Sequence, residues 1–158
     1  MKVKSVTFYT PLLSSLAQVL VMGGRLDEGL AAASEALDRT EKSRGFWWMP
    51  EALRIKGDVL ALQGADDAAE EHFRRSVVLA NRQGALSWEL RGAMSLGRLY
   101  HAQDRVEDAH DLLNPIYARF TEGFDTIDLQ DAKLLLDELS IEKRKFGSAV
   151  SARKKTKS

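Results

Sequence analysis

Three histidines are the side chains in this sequence that most suggest metal chemistry. His72, His101 and His110 form neither an HExxH pair nor another close pair, and the chain has no cysteine. Zinc sites need several ligands at close spacing because one ion must be held by all of them. His72 follows Glu70 and Glu71 on a polar helix face, which favours solvated surface over a metal ligand. We therefore predict no metal site and no bound cofactor.

Motifs for nucleotide binding and nucleophilic catalysis are also missing from the sequence. The run Gly23-Gly24-Arg25 lacks the GxxxxGK[ST] spacing that cradles phosphate, and no predicted strand precedes it. A GxSxG element, which would place a serine nucleophile, does not occur. The glycine pair instead predicts the left-handed turn that closes a helix. We predict a protein that is not an enzyme and has no catalytic residues.

The composition is that of a soluble helical domain. The 158 residues are 44% hydrophobic and 29% charged, and prolines number only 3, which favours helix. No stretch reaches the roughly 20 apolar residues that a membrane span needs. The absence of cysteine excludes disulfides and is compatible with the cytoplasm, where we expect the protein.

Apolar residues recur with the period of an amphipathic helix. Leu13, Leu16, Ala17 and Leu20 lie at i, i+3, i+4 and i+7, and similar stripes follow along the chain. These stripes predict one domain over residues 8–140 and a basic, disordered tail over residues 145–158. Within that assignment we expect hairpins over residues 8–44, 48–84 and 86–120 and a capping helix over residues 126–144.

The three hairpins repeat at a period of 40 residues in the sequence. Small residues occupy the middle of each first helix and the start of each second helix, namely Ala17, Gly57 and Gly97, then Gly29, Ala69 and Ala109. Small residues at facing positions let two helices approach closely. Because one hairpin cannot bury its apolar face alone, such repeats stack. The predicted fold is all-α, a right-handed solenoid of three antiparallel helix hairpins and a capping helix.

The second hairpin resembles the tetratricopeptide repeat. Its signature positions are matched by Gly57, Leu60, Ala69 and Phe73, whereas the first hairpin departs from the pattern at the last two positions with Gly29 and Ala33. That repeat is normally about 34 residues long, so the period of this chain implies longer helices or loops.

A closer resemblance covers about residues 13–139. The C-terminal repeat region of bacterial multidomain regulators is similar to three runs of this chain, ALRIKGDVLAL, ANRQGALSWELRGAMSLGRL and PIYARFTEGFDTIDLQDAKLLLDEL. In that family a class III adenylate or guanylate cyclase domain, or a DNA-binding domain, precedes a predicted ATPase module and these repeats. The resemblance implies a regulatory or sensory scaffold of a signalling system. The alternative is a detached C-terminal region of such a regulator, which modulates a catalytic partner chain.

The first helices of such an array line a concave groove, and arginines at groove positions can bind carboxylates. We expect a protein or peptide partner to bind there. The predicted groove residues are Gln18, Arg54, Asp58, Arg91, Met94, Arg98 and His101, with Ser14 beside them. The alternative is a solvated charged face whose arginines pair with the Asp and Glu residues of the chain itself.

An aromatic run precedes the second hairpin. Trp48 shares its repeat position with Phe8 and Trp88, which favours packing between hairpins. Phe46 and Trp47 have no such counterparts, and they form a candidate surface patch for a partner, with packing as the open alternative.

The two ends of the chain give further expectations. Residues 141–158 carry seven basic side chains and one acidic side chain. The segment is short and lacks interleaved aromatics, so we expect a solvated tail and no binding of nucleic acid or membrane. The first hairpin has no evident capping unit before it, which would allow a homo-oligomer to form through its open face.

Overall fold

A computed structural model describes the backbone of residues 9–42 and 46–155 and the side chains of residues 10–42 and 47–145. These residues form seven α-helices, with one short 3-10 turn at Phe46–Trp48 and no strand among them. The prediction of an all-α protein is therefore confirmed. The helices are α1 (Tyr9–Met22), α2 (Leu26–Lys42), α3 (Met49–Leu62), α4 (Asp66–Gln83), α5 (Leu86–Ala102), α6 (Val106–Tyr117) and α7 (Ile127–Lys155).

The helix ends recur at the spacing seen in the sequence. The first helices of the three pairs end at Met22, Leu62 and Ala102, and the second helices begin at Leu26, Asp66 and Val106. Each set of boundaries is spaced by the same 40 residues. The repeat is therefore a property of the backbone as well as of the side-chain pattern.

Each of these pairs is closed by the same left-handed turn. Gly24, Gly64 and Asp104 have φ values of 76°, 77° and 60°. After each turn the next backbone N–H donates to the carbonyl five residues earlier, as from Arg25 to Leu20 at 2.9 Å. This is the Schellman closure of a helix, which glycine adopts without strain and aspartate tolerates better than most residues.

Each helix packs against the next one along the chain. The odd-numbered helices also contact one another in succession, α1 with α3, α3 with α5 and α5 with α7. We call this succession the odd row. Side-chain bonds from Arg91 to Asp128 and from His101 to Glu142 show that α5 and α7 run in the same direction.

The largest apolar core is shared by α4, α5, α6 and α7, with Phe73, Leu90 and Leu113 each at most 2% exposed. The last helix covers the third hairpin with the apolar side chains that the sequence pattern indicated. These are Leu129, Ala132, Leu135, Leu136 and Leu139, all of them buried. In the described part of the chain, no helix combines the length and the apolar character that crossing a membrane requires.

The C-terminal segment differs from its prediction. We expected the last helix to end near residue 144 and a disordered tail to follow, but α7 runs from Ile127 to Lys155. The physical reason is that residues 145–155 contain only one strong helix breaker, Gly147, among Ala, Lys and Arg residues that favour helix. Residues 156–158 lie outside the described residues, as do the side chains beyond Lys145.

Helices α3 and α4 are packed tightly at Gly57. A Cβ built on Gly57 would stand 2.5 Å from the ring of Phe73, which real side chains do not tolerate. At the equivalent position in α5, a Cβ on Gly97 would meet its nearest side-chain atom, in Leu135, at an ordinary 3.7 Å. The two glycines share a repeat position, but only the first is required by packing.

We predict opposite outcomes for alanine at these two positions. Gly57→Ala forces the Phe73 ring to move and should lower the free energy of unfolding by about 1–3 kcal/mol. Gly97→Ala meets no obstacle and should leave stability unchanged or raise it by up to about 1 kcal/mol, because alanine favours helix. Urea unfolding of both variants measures the difference, and equal losses would contradict the packing argument.

Candidate partner-binding groove

A cavity of about 390 Å³ opens along the odd row and is lined by residues from α1, α3, α5 and α7. Five of the predicted groove residues line it, namely Gln18, Arg54, Arg91, Met94 and Arg98, together with Ser14. Of the other two, Asp58 hydrogen-bonds Arg54. His101 lines a separate cavity of about 480 Å³ between α5 and α7 and bonds to Glu142. The structure therefore brings most of the predicted set together and places His101 apart.

Arg54 is held by carboxylates of its own helix. Its Nε and Nη2 atoms donate to the two carboxylate oxygens of Glu51 at 2.9 and 2.7 Å, and its Nη1 atom donates to Asp58. Burial would lower the pKa of Arg54, but these carboxylates outweigh burial and raise the pKa above its ordinary value. The guanidinium is thus permanently charged and already engaged.

Arg91 connects three helices of the odd row. Its Nε atom donates to Asp128 of α7 at 2.7 Å, and its Nη1 atom lies 3.6 Å from the carboxylate of Glu51 in α3. Glu51 is only 4% exposed. A buried carboxylate needs cationic partners to be tolerated, so Arg91 and Arg54 together stabilise Glu51.

Asp58 sits at the edge of this network. Burial raises the pKa of the Asp58 carboxyl above its ordinary value, and the nearby Arg54 and a hydrogen bond with Ser95 offset only part of that rise. Arg98 lies close enough to act on Asp58 electrostatically.

Arg98 is the cation of the cavity that has no ion pair with a described residue. Its side chain is exposed, and within residues 10–42 and 47–145 it makes no ion pair or side-chain hydrogen bond. The same holds for Asp131, an exposed carboxylate across the cavity. Two of the three predicted arginines are thus paired internally, as the alternative interpretation of the charged face expected, and only Arg98 makes no ion pair with a described residue.

Two apolar side chains also line the cavity. Met94, which is 5% exposed, and Ile55, which is 3% exposed, line it between the charged groups. The lining of the cavity is therefore mixed, with charged and polar side chains and a few apolar ones.

The aromatic run forms a three-tryptophan cluster beside the groove. Trp47 stacks on Trp88 with ring centroids 5.7 Å apart, and Trp48 meets both rings edge-on at 5.3 and 5.6 Å. Trp48 also donates its Nε1 proton to Ser14 at 3.3 Å. Trp47 is 49% exposed despite these contacts, so it combines packing with surface. The side chain of Phe46 lies outside the described residues.

The histidines make only local or interhelical bonds. His72 bonds to the carbonyl of Ala68 at 2.8 Å, and His110 to its neighbour Asp111 at 3.2 Å. Among the residues whose side chains are described, no group of His, Asp and Glu is arranged to hold a metal ion.

Several groove residues escaped the sequence analysis. The pairing of Arg54 with Glu51 and Asp58 at i−3 and i+4 is a signal that could have been used, because such spacings place charges together on a helix. Asp128 and Asp131 had no such signal, since they come from a helix beyond the repeat and reach the groove only through tertiary packing.

No protein-family model matches the chain, and no curated protein is detectably similar to it. A functional assignment therefore has to start from the side chains of the groove.

We predict that Glu51 is a structural residue of the groove. Glu51→Gln removes the charge that holds Arg54 and Arg91 and should lower the free energy of unfolding by about 1–3 kcal/mol. The matched control is Glu28→Gln, which breaks an exposed ion pair with Arg25 and should leave stability unchanged. Thermal and urea unfolding measure both variants, and a loss no larger at Glu51 than at Glu28 would show that the buried network does not stabilise the fold.

Proposed function

We propose that this protein is a non-catalytic, tetratricopeptide-like helical scaffold that binds a protein or peptide segment in the groove of its odd row. The observation that carries the proposal is the cavity itself, which crosses helices of three successive repeats and the last helix. The common turn and the 40-residue spacing of the helix boundaries support a stacked array of hairpins. Arrays of this kind commonly use their extended concave surface to bind partners.

The charged side chains of the cavity indicate the chemistry of the segment that we propose as its ligand. Arg98 offers a guanidinium that no carboxylate of the described residues occupies, and guanidinium groups bind carboxylates through strong, charge-assisted hydrogen bonds. Met94 and Ile55 offer apolar contact next to it. We therefore propose a short segment with a carboxylate, from a side chain or a chain terminus, next to an apolar side chain.

A regulatory role is supported by the resemblance of residues 13–139 to the repeat region of cyclase-type and DNA-binding regulators. In this proposal the scaffold either carries a signalling partner or modulates a separate catalytic chain, and we propose no catalytic role for the scaffold itself. Purification from the native cell together with a nucleotide cyclase or an ATPase would support the second arrangement. Purification with neither enzyme would contradict it.

We predict that Arg98 decides groove affinity. A random peptide library selected against the full chain should yield segments with an acidic side chain or a free C-terminus. Arg98→Glu should weaken their binding about ten-fold or more, since one charge-assisted hydrogen bond contributes about 1.5–3 kcal/mol. Isothermal titration of the selected peptides measures the change.

The matched control is Arg82→Glu, which reverses an exposed charge on α4, outside the cavity. It should bind the selected peptides with the affinity of the unchanged protein. Peptides that bind the Arg98→Glu variant equally well, or a library that yields no binder at all, would count against the groove as the functional site.

A further inference from the structure

One face of α1 exposes a row of apolar side chains. Leu12 is 66% exposed, Leu16 47% and Val19 65%, and they lie at i, i+4 and i+7 along the helix. We call these three residues the α1 stripe. The other side of the same helix is packed inside, with Ala17 completely buried. A helix that is apolar on two sides is typical of a buried position between neighbours.

The 40-residue repeat allows the exposure of the α1 stripe to be compared with that of the equivalent positions in α3 and α5. At the position of Leu12 the later repeats have Ala52, 1% exposed, and Gly92, also buried. At the position of Val19 they have Val59 and Leu99, which are 2% and 7% exposed. The positions of Leu12 and Val19 are thus buried in α3 and α5, and among these three helices they are exposed only in α1. At the position of Leu16 the pattern is weaker, because Lys56 is half-buried and Leu96 is buried.

These positions face the preceding hairpin. A Cβ on Gly92 would lie 3.0 Å from Ser76 and 3.1 Å from Val77, both in α4. Val59 belongs to an apolar cluster that includes Ala17 of α1 and Ala33 of α2. In α1 the corresponding surface has the composition of a packing interface, and no helix of the described residues covers it.

We infer that the α1 stripe is covered by a second copy of this chain, through an isologous contact of α1 with α1 of the partner copy. The spacing of the stripe is self-complementary. In an antiparallel pair related by a two-fold axis near Leu16, each Leu12 meets Val19 of the other copy, and Leu16 meets its own counterpart. Side chains of similar size therefore face each other along the whole contact.

Charge favours this arrangement over a head-to-tail one. Helix α1 contains no Asp, Glu, Lys or Arg, so two copies of it meet without burying a charge. A head-to-tail contact would place the stripe on the outer face of α7, where the exposed Ile127, Leu134 and Ile141 stand among the carboxylates of Asp131 and Glu138. Burying those carboxylates against leucine and valine without partners is unfavourable.

The area buried between the two α1 helices determines how strong a dimer we expect. A helix of 14 residues is about 21 Å long, and two such helices with their flanking residues reach at most the lower end of stable interfaces, roughly 1,200 Å² in total. We therefore expect a reversible dimer whose population rises with protein concentration.

Sedimentation velocity of the full chain over a hundred-fold range of concentration tests the inference. The unchanged protein should shift from monomer towards dimer and no further. Leu12→Glu and Val19→Lys, each tested alone, should remain monomeric over the same range, since each places a charge against an apolar side chain of the partner. Unchanged helical circular dichroism and tryptophan emission would show that both variants are folded, as expected for residues about two-thirds exposed.

Mixing the two variants makes the test specific. In the mixed dimer the carboxylate at position 12 of one copy faces the ammonium at position 19 of the other, and the remaining Val19 and Leu12 face each other as before. The mixture should therefore recover dimer at concentrations where each variant alone is monomeric. Leu134→Glu, at a similarly exposed leucine of α7, is the control and should dimerise like the unchanged protein.

Three results would overturn the inference. The first is an unchanged protein that is monomeric at every concentration. The second is a series of growing oligomers that Leu134→Glu abolishes, which would indicate head-to-tail assembly. The third is a mixture that stays monomeric although the unchanged protein dimerises, which would place the contact elsewhere.

Discussion

The buried carboxylate of Glu51 is the group on which both the packing and the charge of the groove depend. It accepts two hydrogen bonds from Arg54 in its own helix and faces Arg91 of the next helix in the odd row. A buried carboxylate without cations nearby would be costly. The guanidinium groups of Arg54 and Arg91 are therefore both held by Glu51 inside the protein. The positive charge that remains unpaired in the groove is therefore decided by an internal pairing rather than by the number of arginines there.

A second buried carboxylate, that of Glu89, is paired in the same way on the other side of α5. Glu89 is 3% exposed and accepts hydrogen bonds from Arg119 at 2.7 and 2.8 Å and from Asn81 at 2.9 Å. Arg119 follows α6 and Asn81 belongs to α4, so this carboxylate joins the two even-numbered helices next to α5. Helix α5 thus lies between two ionic contacts, and its small residues allow close packing at Gly92. These contacts fix the position of α5 between its neighbouring helices.

The sequence predicts the local features well because they depend on short-range rules. Helix periodicity, the turn at Gly24 and Gly64, and the small side chain at Gly57 follow from residues within one repeat. The end of α7 is not predicted correctly, because the basic charge of residues 145–155 favours a solvated tail whereas their helix propensity favours the helix that is observed. The pairing of Arg91 with Asp128 and the stacking of Trp47 on Trp88 cannot be predicted from the sequence. Each contact joins residues about 40 positions apart through tertiary packing, which no local pattern encodes.

The two ends of the odd row differ in the charge of their exposed surfaces. Helix α7 buries five apolar side chains in the core, whereas its outer surface carries charged side chains together with the exposed Ile127, Leu134 and Ile141. Helix α1 is apolar on both sides, and Ser15, which lies between Leu12 and Val19 at the centre of the α1 stripe, also lines the groove. A second copy on the stripe would therefore border the α1 end of the cavity. Whatever factor one of these two proposed binding events changes in the affinity of the other is returned equally, so a coupling through Ser15 would be measurable in both groove occupancy and self-association.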